Sequence, residues 1–118
     1  MYKKIFKRDG SLKKFDPKKI TTAITQAGKA TGEFDESRAD KLTIKVLRIA
    51  EDALDTTTPT VEQIQDIVEE VLLASVYKET AKAYILYRER RQQVRDITSK
   101  ASVELIDQYI GKGDWQVN

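Results

Sequence analysis

Residues 4–20 read KIFKRDGSLKKFDPKKI, and this stretch predicts how the fold begins. Asp9-Gly10 is a strong signal for a tight turn between two short segments that mix aromatic, β-branched and basic residues. We therefore expect an N-terminal β-hairpin over residues 2–7 and 12–15. Asp16-Pro17 follows directly, and an Asp cap with Pro at the first helical position indicates that a helix begins there.

Apolar residues at helical spacing predict three further helices. The first helix should stop near Thr31-Gly32, and a second should follow a cap at Asp35 or Ser37. Thr60 and Gln63 have the spacing of a capping box, which predicts a third helix over about residues 61–73. A fourth helix is expected over residues 78–95, which contain no Gly or Pro.

Two remaining segments complete the predicted fold. Residues 56–59 are β-branched and closed by a Pro, so we expect a short third strand beside the hairpin. Residues 97–110 are expected to form a last amphipathic helix before a Gly-rich tail. The predicted fold class is α+β, a four-helix bundle capped by a hairpin or three-stranded sheet and followed by a C-terminal linker helix.

Composition narrows the possible functions. The 118 residues fit one domain, and they include no Cys and no His. Without Cys the chain can form no disulfide and has no thiol nucleophile, and without His it lacks the usual general base. The absence of both also excludes most zinc sites. No apolar stretch approaches the roughly 20 residues that span a bilayer, and no secretory signal is evident, so a cytoplasmic location is expected.

Charge is unevenly distributed along the chain. Residues 1–20 carry a net charge of +6, residues 33–70 carry −7 and residues 78–95 carry +4. The turn at Lys7, Arg8 and Gly10, with Lys13 and Lys19, could surround a polyphosphate. The alternative is a solvated, charged hairpin. Neither a P-loop nor a dinucleotide-binding fingerprint occurs, so a nucleotide would be held differently.

Other polar groups have two interpretations each. Arg88, Arg91 and Arg95 share one face of the fourth helix and form either an anion site or a solvated surface. Asp16 and Gln65 could contact a ribose or a base edge, although capping and exposed helix positions also explain them. Acidic pairs at helical spacing lack a nucleophile beside them, so we predict neither a catalytic residue nor a protein-held metal.

Four ordered blocks, residues 7–11, 15–20, 61–69 and 81–88, resemble the ATP-cone domain. The resemblance covers about residues 3–95, and the segment after residue 95 looks like the linker of anaerobic ribonucleotide reductases. In that family the cone is the overall activity switch: ATP permits reduction, dATP suppresses it, and oligomeric state commonly mediates the effect. A repressor of reductase genes carries the same cone behind a Cys-rich zinc ribbon, which this chain lacks.

The resemblance implies a regulatory domain over residues 1–95 and a linker over 96–118 toward a catalytic domain that this chain does not contain. The chain is not expected to be an enzyme, because a ribonucleotide reductase works through a protein thiyl radical and this chain has no Cys. The implied partners are adenine nucleotides, that catalytic domain and a possible second copy of the chain, and Mg²⁺ is expected to bind through the phosphates. The implied nucleotide-binding residues are Ile5, Lys7, Arg8, Lys13, Asp16, Lys19, Ile20, Val61, Gln65, Arg88 and Arg91.

Within this set, the resemblance assigns Lys7, Arg8 and Lys19 to the phosphates. It assigns Ile5, Ile20 and Val61 to the base. Arg88 or Arg91 would add a phosphate contact, with Arg90 as the choice if the register shifts. The acidic middle of the chain is expected to face elsewhere. Two rival hypotheses are a nucleic-acid-binding module that uses the basic hairpin and the Arg-rich helix, and a helical oligomerisation module.

Overall fold

The computed structural model of the protein describes residues 2–98. Two strands precede four helices, and the helices pack in a closed bundle in which the first helix contacts the second and the fourth, and the third contacts the same two. The α+β bundle with a hairpin is therefore confirmed. The elements are β1 (Lys4–Phe6), β2 (Leu12–Lys14), α1 (Pro17–Thr31), α2 (Glu36–Ala53), α3 (Val61–Ala74) and α4 (Lys78–Thr98).

The hairpin has the turn that its sequence predicts. Strand β1 pairs antiparallel with β2, with Ile5 opposite Lys13. The amide of Ser11 donates to the Asp9 carboxylate at 2.9 Å, and Gly10 has a φ of 85°. That left-handed conformation is cheap only for a residue without a Cβ, so the turn depends on glycine.

The prediction of a third strand over residues 56–59 is wrong. Within the described residues, the contact at this place is a single parallel bridge between Phe6 and Thr60, in which the Phe6 amide donates to the Pro59 carbonyl at 2.9 Å. Pro59 has no amide with which to extend the pairing toward residue 58. The Thr60 amide is already used, because it donates to the Gln63 side chain at 2.9 Å. A continuous ladder therefore cannot form.

The predicted helix ends are confirmed at their capping groups. Asp16 caps α1, Gly32 ends it with a φ of 77°, and Asp35 rather than Ser37 caps α2. Both halves of the Thr60 capping box are present. Helix α4 continues to Thr98, and the remainder of the helix predicted over residues 97–110 lies outside the described residues. No helix within residues 2–98 has the length and apolar character needed to span a bilayer.

The loop between α1 and α2 holds the start of α4. Glu33 accepts hydrogen bonds from the Thr80 amide at 2.6 Å and the Thr80 hydroxyl at 2.7 Å. Phe34 packs edge-on against Tyr77, with ring centroids 4.8 Å apart. Glu33 thus caps α4 from a distant part of the chain, since it satisfies an amide of the first turn. This contact orients α4 relative to α1, and the site described next lies between them.

Candidate functional site

A cavity of about 230 Å³ lies between the hairpin, α1, α3 and α4. We call it the apolar cavity, because aliphatic and aromatic side chains from all four elements line most of it. Its lining residues are Ile5, Lys7, Lys13, Lys14, Phe15, Asp16, Lys19, Ile20, Ala23, Val61, Ile64, Gln65, Val68 and Tyr84. An apolar cleft with a few polar groups is the usual form of a small-molecule site.

Helical spacing explains the apolar lining. Val61, Ile64 and Val68 recur at three- and four-residue intervals along one face of α3 and lie in the wall of the apolar cavity. Tyr84 of α4 lies in the same wall and is buried. Burial raises the pKa of the Tyr84 hydroxyl, so this residue stays neutral at physiological pH. This wall therefore suits an uncharged ring, while four lysines, Lys7, Lys13, Lys14 and Lys19, also line the cavity.

A second cavity, of about 490 Å³, lies where the hairpin turn meets the C-terminal half of α4. We call it the cationic cavity, because four of its nine lining residues are Lys or Arg and one is acidic. Such a concentration of positive charge favours an anion. Its lining residues are Lys7, Arg8, Asp9, Ala23, Val61, Gln65, Tyr87, Arg91 and Arg95.

The two cavities are adjoining parts of one site. Lys7, Ala23, Val61 and Gln65 line both of them. A ligand that fills the whole site would therefore have an apolar ring at one end and a group with several negative charges at the other.

Arg8 connects the hairpin turn to two helices. Its guanidinium donates to the side-chain oxygens of Gln92 at 2.7 Å and Gln65 at 2.8 Å. Its Nε lies 3.3 Å from a carboxylate oxygen of Glu62. The turn is thus held against α3 and α4 by one side chain, and that side chain lines the cationic cavity.

The arginines of α4 separate into two environments. Arg91 lines the cationic cavity and donates to the Tyr87 hydroxyl at 2.9 Å. Arg88 lies 2.8 Å from Asp66 and 2.9 Å from Glu69, and it lines neither cavity. Of the two arginines proposed from the sequence, the structure therefore brings Arg91 to the site and holds Arg88 against α3.

No acidic residue of segment 33–70 lines either cavity, as expected, but three carboxylates of α3 pair with Arg8 and Arg88. Glu62 lies beside Arg8, and Asp66 and Glu69 hold Arg88. These carboxylates belong to the first two and a half turns of α3, the helix whose other side chains line the apolar cavity. Arg88 is therefore paired with carboxylates across the α3–α4 interface, and Arg8 is paired with one between the hairpin and α3.

Ten of the eleven predicted site residues line one or both cavities, and Arg88 is the exception. Their contacts with a nucleotide stay predictions. Sequence reasoning did not place Ala23, Tyr84 or Tyr87 in the site. Two spacings could have indicated them, because Ala23 follows Ile20 by three residues, while Tyr84 and Tyr87 precede Arg91 at helical intervals.

A family model described as the ATP cone domain matches residues 3–93. The chain belongs to the ATP-cone family. The resemblance indicated by the sequence blocks is thereby confirmed, and the match includes every residue that lines the apolar cavity. In the cationic cavity it includes every lining residue except Arg95.

Relatives of this ATP cone are ribonucleotide reductases of several kinds. A vitamin B12-dependent ribonucleoside-diphosphate reductase from Thermoplasma acidophilum is 39% identical over 81% of this chain and 13% of its own length. A ribonucleoside-diphosphate reductase subunit alpha from Chlamydia pneumoniae is 40% identical over 77% of this chain and 9% of its own. An anaerobic ribonucleoside-triphosphate reductase from Haemophilus influenzae is 34% identical over 86% of this chain and 14% of its own.

The chain therefore spans about a tenth of the length of the relatives that it matches. Anaerobic reductases are among them, as the sequence blocks indicated, but B12-dependent and diphosphate reductases match at least as well. The assignment of the chain to the ATP-cone family therefore does not depend on the kind of reductase with which it is compared.

Proposed function

We propose that this ATP cone is an allosteric domain that binds ATP or dATP and controls the overall activity of a ribonucleotide reductase. The observation that carries the proposal is that the apolar cavity and the cationic cavity share four lining residues. An adenine nucleotide has the same two parts in the same order, an uncharged ring followed by a chain of phosphates.

The proposed pose assigns each cavity one part of the nucleotide. Adenine lies in the apolar cavity against Ile5, Ile20 and Val61, and the ribose lies near the residues shared by both cavities. The phosphates lie in the cationic cavity, where Lys7, Arg8 and Arg91 make charge-assisted hydrogen bonds. Mg²⁺ would bind through the phosphates and neutralise part of their charge. The residues that would add polar contacts are Lys13, Asp16, Lys19 and Gln65.

Binding without hydrolysis is supported by the properties of the carboxylate that lines the cationic cavity. Among the described residues, Asp9 is the acidic residue that lines the cationic cavity. Hydrogen bonds from the Ser11 side chain and backbone lower the pKa of the Asp9 carboxyl. An effective general base has a pKa near the operating pH. Asp9 is therefore a poor base for activating water, and we propose that binding energy changes conformation or assembly instead.

For ATP and dATP to act as opposite signals, they must favour different arrangements of the domain. A ligand with equal affinity for both arrangements shifts neither. Because the two nucleotides differ by one ribose hydroxyl, we propose that the discrimination occurs near Gln65, where the two cavities meet. The response would be read by the catalytic domain of the parent reductase or by a second copy of this chain.

Calorimetric titration with ATP and dATP tests the proposal. The Lys7→Glu/Arg8→Glu double variant should bind either nucleotide at least about a hundredfold more weakly, because two charge-assisted hydrogen bonds are lost. The Lys41→Glu/Lys45→Glu variant changes net charge equally at exposed positions of α2 that line neither cavity, and it should bind normally.

Three outcomes would contradict the proposed function. The first is no saturable binding of either nucleotide to the wild-type chain. The second is unchanged binding by the double variant at residues 7 and 8, which would place the phosphates elsewhere. The third is release of ADP from ATP above the buffer blank. A single-stranded oligonucleotide is titrated in parallel to test the rival hypothesis of nucleic acid binding. It should produce no saturable heat.

A further inference from the structure

Arg8 and Arg88 are both paired with carboxylates of α3, but to different degrees. The Arg88 side chain is 18% exposed and has two carboxylates within 2.9 Å. The Arg8 side chain is 25% exposed, and its carboxylate partner among the described residues, Glu62, is 3.3 Å away and 38% exposed. A partly exposed ion pair is worth little net free energy, because water competes for both partners. Arg8 can therefore exchange its anion more readily than Arg88.

We propose that Glu62 is a built-in competitor for the nucleotide phosphates at Arg8. In the ligand-free chain its carboxylate neutralises a guanidinium that lines the cationic cavity. When a polyphosphate enters, Arg8 exchanges this carboxylate for a phosphate, and Glu62 remains nearby as a repelling charge. The inference rests on the proposed function and adds that affinity is set by this competition.

The other two partners of Arg8 favour such an exchange. Gln65 and Gln92 are neutral acceptors that hold two of the guanidinium nitrogens at 2.8 and 2.7 Å. They orient the side chain without neutralising it. The third nitrogen, Nε, faces Glu62. Loss of the Glu62 contact therefore leaves Arg8 still positioned at the cavity but with its charge available to the ligand.

Glu62 also contributes to the ligand-free fold. It lies in the first turn of α3, where a negative side chain interacts favourably with the helix dipole. The competitor hypothesis consequently predicts two opposite effects of removing its charge: a slightly less stable free domain and a tighter complex. A purely structural role predicts the first effect without the second.

The test compares Glu62→Gln with Glu70→Gln by calorimetry. The Glu62→Gln variant keeps the size of the side chain and an acceptor for Arg8 while removing the charge. Glu70 is an exposed residue of the same helix, so its variant makes the same change of net charge away from the cavities. The three probes are ATP, inorganic tripolyphosphate and adenosine.

Glu62→Gln should bind ATP and tripolyphosphate about three- to tenfold more tightly than the wild type, with adenosine unchanged. The gain should shrink in 0.5 M salt, because screening weakens interactions between exposed charges. Glu70→Gln should match the wild type for all three probes. Thermal melting of both variants without ligand verifies that they fold.

The inference is overturned if the wild type binds ATP and Glu62→Gln binds it no more tightly. An equal gain in Glu70→Gln would also overturn it, since that result would reflect net charge alone. A gain for adenosine as large as that for ATP would show that the phosphates are not involved. If the wild type binds no nucleotide, the proposed function fails and this inference fails with it, so the two failures are distinguished by the wild-type titration.

Discussion

Replacing Val61 with Ala tests the proposed position of the nucleotide directly. Val61 is the first residue of α3, is half-buried and lines both cavities. The change removes two methyl groups, and each buried carbon of this kind contributes about 0.8 kcal/mol. Since about 1.4 kcal/mol corresponds to a factor of ten in affinity, ATP should bind about tenfold more weakly.

The assay is calorimetric titration of ATP, with adenosine and tripolyphosphate as partial ligands. Adenosine binding should weaken with ATP binding, whereas tripolyphosphate should bind within about twofold of the wild type, because a valine contributes apolar contact rather than charge. Val76→Ala is the matched control, since Val76 is 80% exposed and lines neither cavity. If Val61→Ala binds ATP as tightly as the control does, the base does not occupy the apolar cavity.

Two further substitutions test the framework of the site. A Cβ at Gly28 would lie 2.3 Å from the ring of Phe34, so Gly28→Ala should destabilise the domain by about 1–3 kcal/mol, and an unchanged melting temperature would contradict this. Burial raises the pKa of Tyr84 above its ordinary value of 10.0. The unfolded chain therefore ionises first, and stability should fall as pH rises above 10. Tyr84→Phe should lose less stability than the wild type between pH 8 and pH 11 in urea unfolding, and equal losses would refute the assignment.

The sequence predicted the parts of the fold that depend on a few neighbouring residues. The Asp9-Gly10 turn, the Asp16 cap, the Gly32 helix end and the Thr60 capping box are all formed by groups within about five residues of one another. Such motifs satisfy backbone donors and acceptors locally, whatever the remainder of the chain does. Their appearance in the structure follows from chemistry that the sequence displays directly.

The strand expected over residues 56–59 shows where local reasoning fails. β-branched residues favour extended backbone, but a strand also needs a neighbour with which it can exchange hydrogen bonds. Here Thr56 and Thr58 bond to each other, and Pro59 offers β1 an acceptor without a donor. Whether an extended segment joins a sheet depends on what its own groups already bind, and composition does not reveal that.

In the site, too, the sequence indicates which residues are buried but not where they lie relative to the cavities. Aliphatic residues at helical spacing predict that a helix face is buried, but they do not distinguish a packed core from the wall of a cavity. Tyr84, for example, is a buried residue of α4 and also lines the apolar cavity. The separation of Arg88 from Arg91 depends on where Asp66 and Glu69 lie across the interface, which is a tertiary relationship.

The ion pairs that carboxylates of α3 form with Arg8 and Arg88 also change how the charge of the chain affects ligand binding. The basic segments suggest a strong general attraction for anions, yet Arg88 is already neutralised by two carboxylates and Arg8 partly by one. In the proposed exchange, an incoming anion displaces Glu62 as well as losing its own water. A triphosphate can meet that cost through several contacts at once, whereas a single weak anion makes too few. Selectivity for a highly charged ligand thus follows from the opposing carboxylate as much as from the cations.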